Sequence, residues 1–493
     1  MEKKSKLELA LNIIVFAVQL GSSAALVTLL YITKFVPTNY VIAAGVVLAA
    51  LLIGESFLIF YKKSKAKRSL ITQIISLLLS IIMIVGCSYT YKFANTVNLV
   101  TSDSFQSRAI SVMVLKNSEI KNQYNVKGHT YGIVTSLDKD TMDYAVKKIN
   151  SHCGNIKTKT YKDLSALMKA LYHKDVDGII LDEAFRSLFD DDYPKLDSQT
   201  RVVYQVTKKE SSVSANSVDV TSSPFVVYIS GNDEHGKLKA VSRSDVNMIA
   251  VINPNTHQIL LVSIPRDSYV PLHTSKQYDK LTHSGMYGMD ESIGTIEDLL
   301  DEQINYYGRL NFTSFIKVVD ALGGVTIYSP SAFTTRIGHY KISKGWNTLN
   351  AKKALSFVRE RHSFADGDFA RNRNQQRMFS AILKKVTSPS IITSFSGVLD
   401  AVSNSCETNL SSSEINALVS MQLSNNKSWD IESFQITGAV GTEPCYSAGN
   451  QRLSVVKPYA TKVKEAKSLI DQVMAGKKVT TDSGDLDRSD TAN

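Results

Sequence analysis

The chain has 493 residues, of which 43% are apolar and 21% charged, with a formal net charge of +10. The length exceeds a single ordinary domain. The first 91 residues hold nine basic and three acidic side chains, so the remaining 402 carry only +4. The high pI therefore reflects topogenic charge as much as any nucleic-acid surface, and no sequence-specific nucleic-acid partner is expected.

Three apolar runs open the chain. Residues 9–33 and 69–91 carry no Asp, Glu, Lys or Arg, and residues 40–61 carry only Glu55. A bilayer core is spanned by about 20 apolar residues in a helix, so each run is long enough to cross. Lys3, Lys4 and Lys6 precede the first run, and Lys62, Lys63, Lys65, Lys67 and Arg68 lie between the second and third. The positive-inside rule makes both segments cytoplasmic. An odd number of spans then puts everything after about residue 92 outside, and the basic loop can also meet anionic lipid heads. Residues 1–91 read as a multi-pass membrane anchor. Glu55 is expected to pair with the basic loop or to be protonated.

Residues 104–208 alternate strand and helix as a small accessory α/β unit. Tyr131 to Thr135 and Val176 to Leu181 are strands, and Asp138 to Ile149 and Leu164 to Leu171 are helices by apolar period, with Asp138 a candidate cap. The acidic run 190–192 reads as a solvated loop. The serine-rich stretch 209–223 reads as a linker. A larger α/β domain, 224–475, opens with the strand Phe225 to Ser230, followed by Met248 to Ile252 and Ile259 to Ile264. Helices are expected at 290–302, at 313–322 with Asn311 or Thr313 as cap, at 350–357 and at 371–386. The polar tail 476–493 is expected to be disordered. Cys87 lies in the third run. Outside the membrane, Cys406 and Cys445 are the plausible disulfide, worth roughly 4 kcal/mol on a chain-entropy estimate. Cys153 is left over and expected to be buried. No CxxC motif or Cys/His cluster suggests zinc.

The chemistry gathers in the larger domain. Asp233 and Asp245 lie near strand ends, followed by Pro265-Arg266-Asp267 and Phe357-Val358-Arg359-Glu360-Arg361. Mg²⁺ prefers one or two carboxylates plus phosphate oxygens, and arginine grips phosphate through a planar fork. Carboxylates beside clustered guanidinium groups therefore point to a diphosphate ester. In an extended segment Arg359 and Arg361 share a face, with Glu360 turned away. Arg371 and Gln375, at i and i+4, align on one helix face. Arg243 and Lys280 are second choices for the same anion. Asp267 is a candidate base, against its plainer reading as an ion-pair partner of Arg266. His235 and His362 sit near the motifs without further support. No GxSxG, HExxH or P-loop is present, so no ready nucleophile is offered.

Ser230-Gly231-Asn232-Asp233, Arg243-Ser244-Asp245, Ser263 to Asp267, Lys280, and Arg359-x-Arg361…Asp368-x-x-Arg371-x-x-x-Gln375 resemble, in order and spacing, the LytR-CpsA-Psr family. The match is strong over about 224–386. The three-run anchor and accessory unit resemble the streptococcal capsule-locus branch. The resemblance implies an α/β domain with a central sheet, an apolar groove for a polyprenyl chain, and a mouth for its pyrophosphate. It implies transfer of a glycopolymer, capsular polysaccharide in this branch, from undecaprenyl diphosphate to peptidoglycan with Mg²⁺ as cofactor. Asp233 and Asp245 would hold the metal. Arg243, Arg266, Lys280, Arg359, Arg361, Arg371 and Gln375 would hold the diphosphate, with Arg266, Asp267, Arg359 and Arg361 catalytic. Capsule kinase or polymerase components are further implied partners. Many family members carry a second arginine three residues along the last motif helix, where this chain has Asn374. Two rival readings are a membrane regulator of capsule synthesis, whose short cytoplasmic share has no room for a helix-turn-helix, and a non-catalytic carrier-binding protein.

Overall fold

The structure is a computed structural model describing residues 2–60, 66–101, 107–210, 213–232, 241–388, 397–398, 400–401, 406–425 and 427–481. Its three apolar helices are α1 (Glu2–Thr33), α2 (Thr38–Phe60) and α3 (Ala66–Thr101). Polar side chains join α1 to α3: Ser80 Oγ donates to Gln19 Oε1 at 2.8 Å, and Gln73 pairs with Asn12. Such bonds hold helices together where lipid offers no hydrophobic drive. Glu55 is buried in this bundle; the loop 61–65 expected to pair with it lies outside the described residues. The apolar stretch Leu70–Thr101 has 32 residues. At 1.5 Å per residue that is about 48 Å, against a bilayer core of about 30 Å. Its C-terminal turns therefore project beyond the core, ten residues past the expected end at 91.

The accessory unit contains β1 (Ser107–Leu115), β2 (Thr130–Val134), α4 (Lys139–Cys153), β3 (Lys157–Tyr161), α5 (Leu164–His173), β4 (Gly178–Asp182), α6 (Leu196–Gln199) and β5 (Thr200–Lys209). The strand order is β3-β2-β4-β1-β5. Asp138 caps α4, accepting from Thr141 N at 2.9 Å. Residues 213–223 are a strap rather than a loose linker. Val220 is 2% exposed and packs on Phe225 and Tyr306, and Val218 N donates to Tyr306 Oη. The valines spaced among the serines supply the apolar contacts that hold it.

The larger domain runs β6 (Phe225–Asn232), β7 (Val246–Asn253), β8 (Gln258–Ile264), β9 (Tyr269–Pro271), β10 (Tyr278–Lys280), α7 (Leu281–Ser284), α8 (Met289–Leu300), β11 (Tyr306–Asn311) and α9 (Phe312–Ala321). Next come β12 (Val325–Ser329), β13 (Phe333–Thr334), β14 (Lys341–Ile342), β15 (Gly345–Leu349), α10 (Ala351–Arg359) and α11 (Asp368–Val386). The last elements are β16 (Cys406–Thr408), α12 (Ser412–Asn425), β17 (Asp430–Gln435), β18 (Gly438–Cys445), β19 (Gln451–Pro458) and α13 (Ala460–Met474). The central sheet has the order β16-β11-β6-β7-β8-β17. Strand alternation sends Tyr228, Ile249, Leu260 and Val262 to one face, against α8 and α13. Ile229, Met248, Ile259 and Leu261 go to the other, against Phe379 and Leu383 of α11. Asn311 is the cap of α9, accepting from Ser314 N.

Three expectations fail here. Residues 476–481, placed in a disordered tail, are docked: Val479 exchanges backbone bonds with the Gln258 side chain, and Thr481 N donates to Glu432. Residues 482–493 lie outside the described residues. Cys406 and Cys445 are both free thiols. Cys406 pairs with Leu310 at the edge of the central sheet, whereas Cys445 ends the separate β18–β19 hairpin. Burial pushes each thiol up to about 12. Cys153, expected to be buried, is partly exposed.

The projecting end of α3 is a docking post. Phe93 and Val97 pack with Phe35 against Ile415 and Val419 of α12, and Asn416 Nδ2 donates to Thr33 O at 2.7 Å. Gln422 of α12 donates to Thr387 O, just past α11. Helix α11 therefore runs from Asp368 toward the anchor.

Candidate functional site: a charged mouth on an apolar groove

Four strand ends meet at one edge of the central sheet. In register, Gly231 of β6 pairs with Val246 of β7 and Leu310 of β11, and Asn247 pairs with Ile264 of β8. Asp245 thus enters β7 where Arg266 leaves β8. Crevices at strand ends of this kind are the usual ligand sites of open α/β sheets. Beneath the mouth, Ser230 and Ser244 share a hydrogen bond of 2.8 Å, and Asn232 Nδ2 donates to Ser242 Oγ. The motif's small polar residues are struts that fix the turn carrying Asp245.

A cavity of about 520 Å³ lies between the sheet and α9, α10 and α11. Its deep wall is apolar: Ile229, Met248, Phe315, Val318, Met378, Phe379 and Ile382. Its mouth carries Asp245, Arg266, Arg336, Arg359, Arg361, His362, Arg371 and Gln375. Met378 and Ile382 follow Arg371 and Gln375 along α11, so the apolar end points toward the anchor and the charged end away from it.

Arg266 Nη1 donates to Asp245 Oδ1 at 2.5 Å. Burial disfavours its charge, but Asp245, Asp267 and Asp368 outweigh this and hold its pKa above the ordinary arginine range. Arg371 goes the other way. Burial and then repulsion from Arg266 pull it below its ordinary value, despite Asp368 at 2.5 Å. The Arg371–Asp368 pair lacks hydrogen-bond angles. Both Asp368 oxygens, Nε of Arg266, and Nε and Nη2 of Arg371 are buried without a hydrogen-bond partner. Buried polar atoms are normally satisfied, so the arginine donors call for acceptors and negative charge, and the two Asp368 oxygens for a donor or a cation.

Arg359 and Arg361 both line the cavity, though not by the extended segment expected. Arg359 closes α10 and stacks over Phe312, 4.5 Å from its centroid; only Glu360 is extended. Glu360 is buried and accepts from the backbone N–H of Arg336, His362 and Ser363, which shapes the turn presenting Arg361. Gln375 reaches Val358 O at 3.5 Å.

Three expected residues are not in the wall. Asp267 is held by Lys280 at 3.0 Å, with Arg266 Nε at 3.8 Å, so it is the ion-pair partner of its plainer reading and is not placed as a base. Lys280 is spent on Asp267, and Arg243 does not line the cavity. Asp233 and His235 lie outside the described residues. Sequence reasoning missed three others. Asp368 was read only as motif spacing, His362 as a bystander, and Arg336 not at all. Arg336 arrives after β13 and meets His362 Nε2 at 3.0 Å. Its local sequence carries no signal. Asn374 is buried, and Arg373 turns to Asp366 and Gln435, as helix geometry requires.

The model of the LytR_cpsA_psr family matches residues 193–469. The chain belongs to the LytR-CpsA-Psr family. Two relatives are named polyisoprenyl-teichoic acid–peptidoglycan teichoic acid transferase TagU. That of Bacillus subtilis is 37% identical over 204 residues, covering 41% of this chain and 64% of the relative. That of Bacillus licheniformis is 34% identical over 227 residues, covering 46% and 67%. The chain thus spans about two thirds or less of their length. Among solved structures, B. subtilis TagT is 29% identical with a TM-score of 0.42, covering 53% of this chain and 94% of that one. Protein gbs0355 of Streptococcus agalactiae is 25% identical with a TM-score of 0.45, covering 54% and 93%.

Proposed function

We propose that this LytR-CpsA-Psr protein transfers a glycopolymer from a polyprenyl diphosphate carrier to peptidoglycan on the outer face of the membrane. One observation carries the reading. A crowded pair of guanidinium groups, Arg266 and Arg371, tops an apolar cavity of about 520 Å³. Only a ligand with a strongly anionic head and a hydrocarbon tail satisfies both parts.

The head occupies the mouth, where Arg266, Arg371 and Arg361 donate to phosphate oxygens, and the tail lies along α11 toward the anchor. An acceptor hydroxyl attacks the phosphorus distal to the carrier. A new O–P bond forms, the bridging P–O bond to the carrier's own phosphate breaks, and polyprenyl phosphate leaves, taking up the hydroxyl proton. The guanidinium groups are in place before charge develops, so little reorganisation opposes the reaction. Among the described residues no group of three or more His, Cys, Asp or Glu side chains gathers. Mg²⁺ does not need one, because one or two carboxylates plus phosphate oxygens suffice. Asp245 and the unsatisfied Asp368 fit that requirement, with Asp233 as a further candidate from the sequence. Bound there, Mg²⁺ would neutralise phosphate charge.

The polymer we assign is capsular polysaccharide, supported by the three-helix anchor and the five-stranded unit. The basic loop at 62–68 supports an outward-facing site. The test supplies full-length protein in vesicles with Mg²⁺, lipid-linked polymer and peptidoglycan, and measures covalent attachment. Attachment that Asp245→Asn abolishes is expected. Carrier binding without attachment would sink the transferase reading, and neither binding nor attachment would leave a regulator.

A further inference from the structure

We propose that the five-stranded unit is a positioning element of the diphosphate site, acting through Arg108 on β1. This rests on the site reading above. The Arg108 side chain is 2% exposed and crosses the boundary between the two units. Within its own unit it meets Asp182 at 2.6 Å and Glu210 at 3.0 Å. Its other donors reach the larger domain, bonding Met286 O at 3.1 Å and Tyr287 O at 2.9 Å. A buried guanidinium needs such full satisfaction to repay its desolvation.

The turn it grips is wedged. Met286 is fully buried in the core cluster of the five-stranded unit together with Val241, and Phe185 packs edge-on to Tyr287. Ser107 O accepts from Val241 N at 3.2 Å. On its other side the same turn carries the site: Thr282 N donates to Arg266 O at 2.8 Å, and Thr282 O accepts from Ser244 N, next to Asp245. The fit leaves no slack at Gly285, where an added Cβ would lie 2.6 Å from Ser242 O. Arg108 therefore sets the spacing between Asp245 and Arg266 without touching the ligand.

Full-length protein in lipid nanodiscs, with geranylgeranyl diphosphate and geranylgeraniol as probes, tests this. Arg108→Lys keeps the charge but cannot fork to four acceptors. About a tenfold loss of diphosphate affinity is expected, roughly one lost charge-assisted hydrogen bond. Geranylgeraniol affinity should hold, and amide exchange at Val241, Ser244 and Thr282 should quicken. Arg186→Ala, which removes ion pairs to Glu183 and Asp197 inside the same unit, should change none of these. Unchanged diphosphate affinity, an equal loss for both probes, or the same effect from Arg186→Ala overturns the proposal. If Arg108→Lys does not fold, Glu210→Gln takes its place, with a smaller loss of the same pattern expected. If wild type does not bind the diphosphate, the functional reading fails. Exchange at the three amides then decides: faster exchange sustains the positioning role, and unchanged exchange ends it.

Discussion

Replacing Arg371 with methionine separates a binding arginine from a structural one. Methionine keeps an unbranched apolar stem against α11 and removes the charge. Among the protein's own groups that charge is a liability, because burial and the neighbouring Arg266 both pull the Arg371 pKa down. Asp368 is not stranded by its loss, since Asp368 also faces Arg266. Stability should therefore stay within about 1 kcal/mol, a shift of roughly 2–4 °C in Tm for a domain of this size. Binding should suffer more. Losing a hydrogen bond to a charged group costs about 1.5–3 kcal/mol, or roughly 10- to 150-fold in affinity. Calorimetry with geranylgeranyl diphosphate, alongside thermal unfolding, reads both quantities. A fall in Tm of about 10 °C or more with unchanged affinity would refute the reasoning and make Arg371 a structural ion pair.

Three further outcomes are expected. Burial pushes the Glu360 pKa up, but N–H groups of Arg336, Ser363 and His362 outweigh it and hold it below its ordinary value. The stability this adds is present above the unfolded value of about 4.3 and is lost as pH falls through the lower folded value. The Tm gap between wild type and Glu360→Gln should be widest near neutrality and close in acid; a gap constant from pH 7 to 3 contradicts it. Ile382→Trp narrows the deep end of the cavity. It should weaken long polyprenyl diphosphates by about 2 kcal/mol or more, at about 0.8 kcal/mol per excluded methylene, and spare a ten-carbon analogue. Equal loss for both chain lengths would show that the tail runs elsewhere. Cys445 should resist maleimide until the protein unfolds, since burial keeps it a thiol; a Cys406–Cys445 disulfide in non-reducing peptide mapping contradicts the free state.

Local patterns were legible in the sequence wherever one element's own residues decide the outcome. Helix α4 with its Asp138 cap, α9 with Asn311, and strands β6, β7 and β8 follow from apolar period and cap chemistry. The three membrane helices follow from length and the absence of charge. Arg371 and Gln375 could be placed on one face because helical spacing is intrinsic. What tertiary structure alone decided is which charges face the same space. Asp267 and Lys280 neutralise each other beside the cavity, whereas Arg336 reaches its mouth from the segment after β13, and Asp368, outside the wall itself, is set against both Arg266 and Arg371. The cysteine pairing failed for the same reason: loop length bears on the entropy of closure but says nothing about whether two strands share a sheet. Arg108 looks like an ordinary strand residue, and its meaning came only where the two units meet across it. Periodicity and capping are interactions within a few residues, and a chain encodes them locally. The pairing of buried charges is set by contacts between segments that are far apart in the chain.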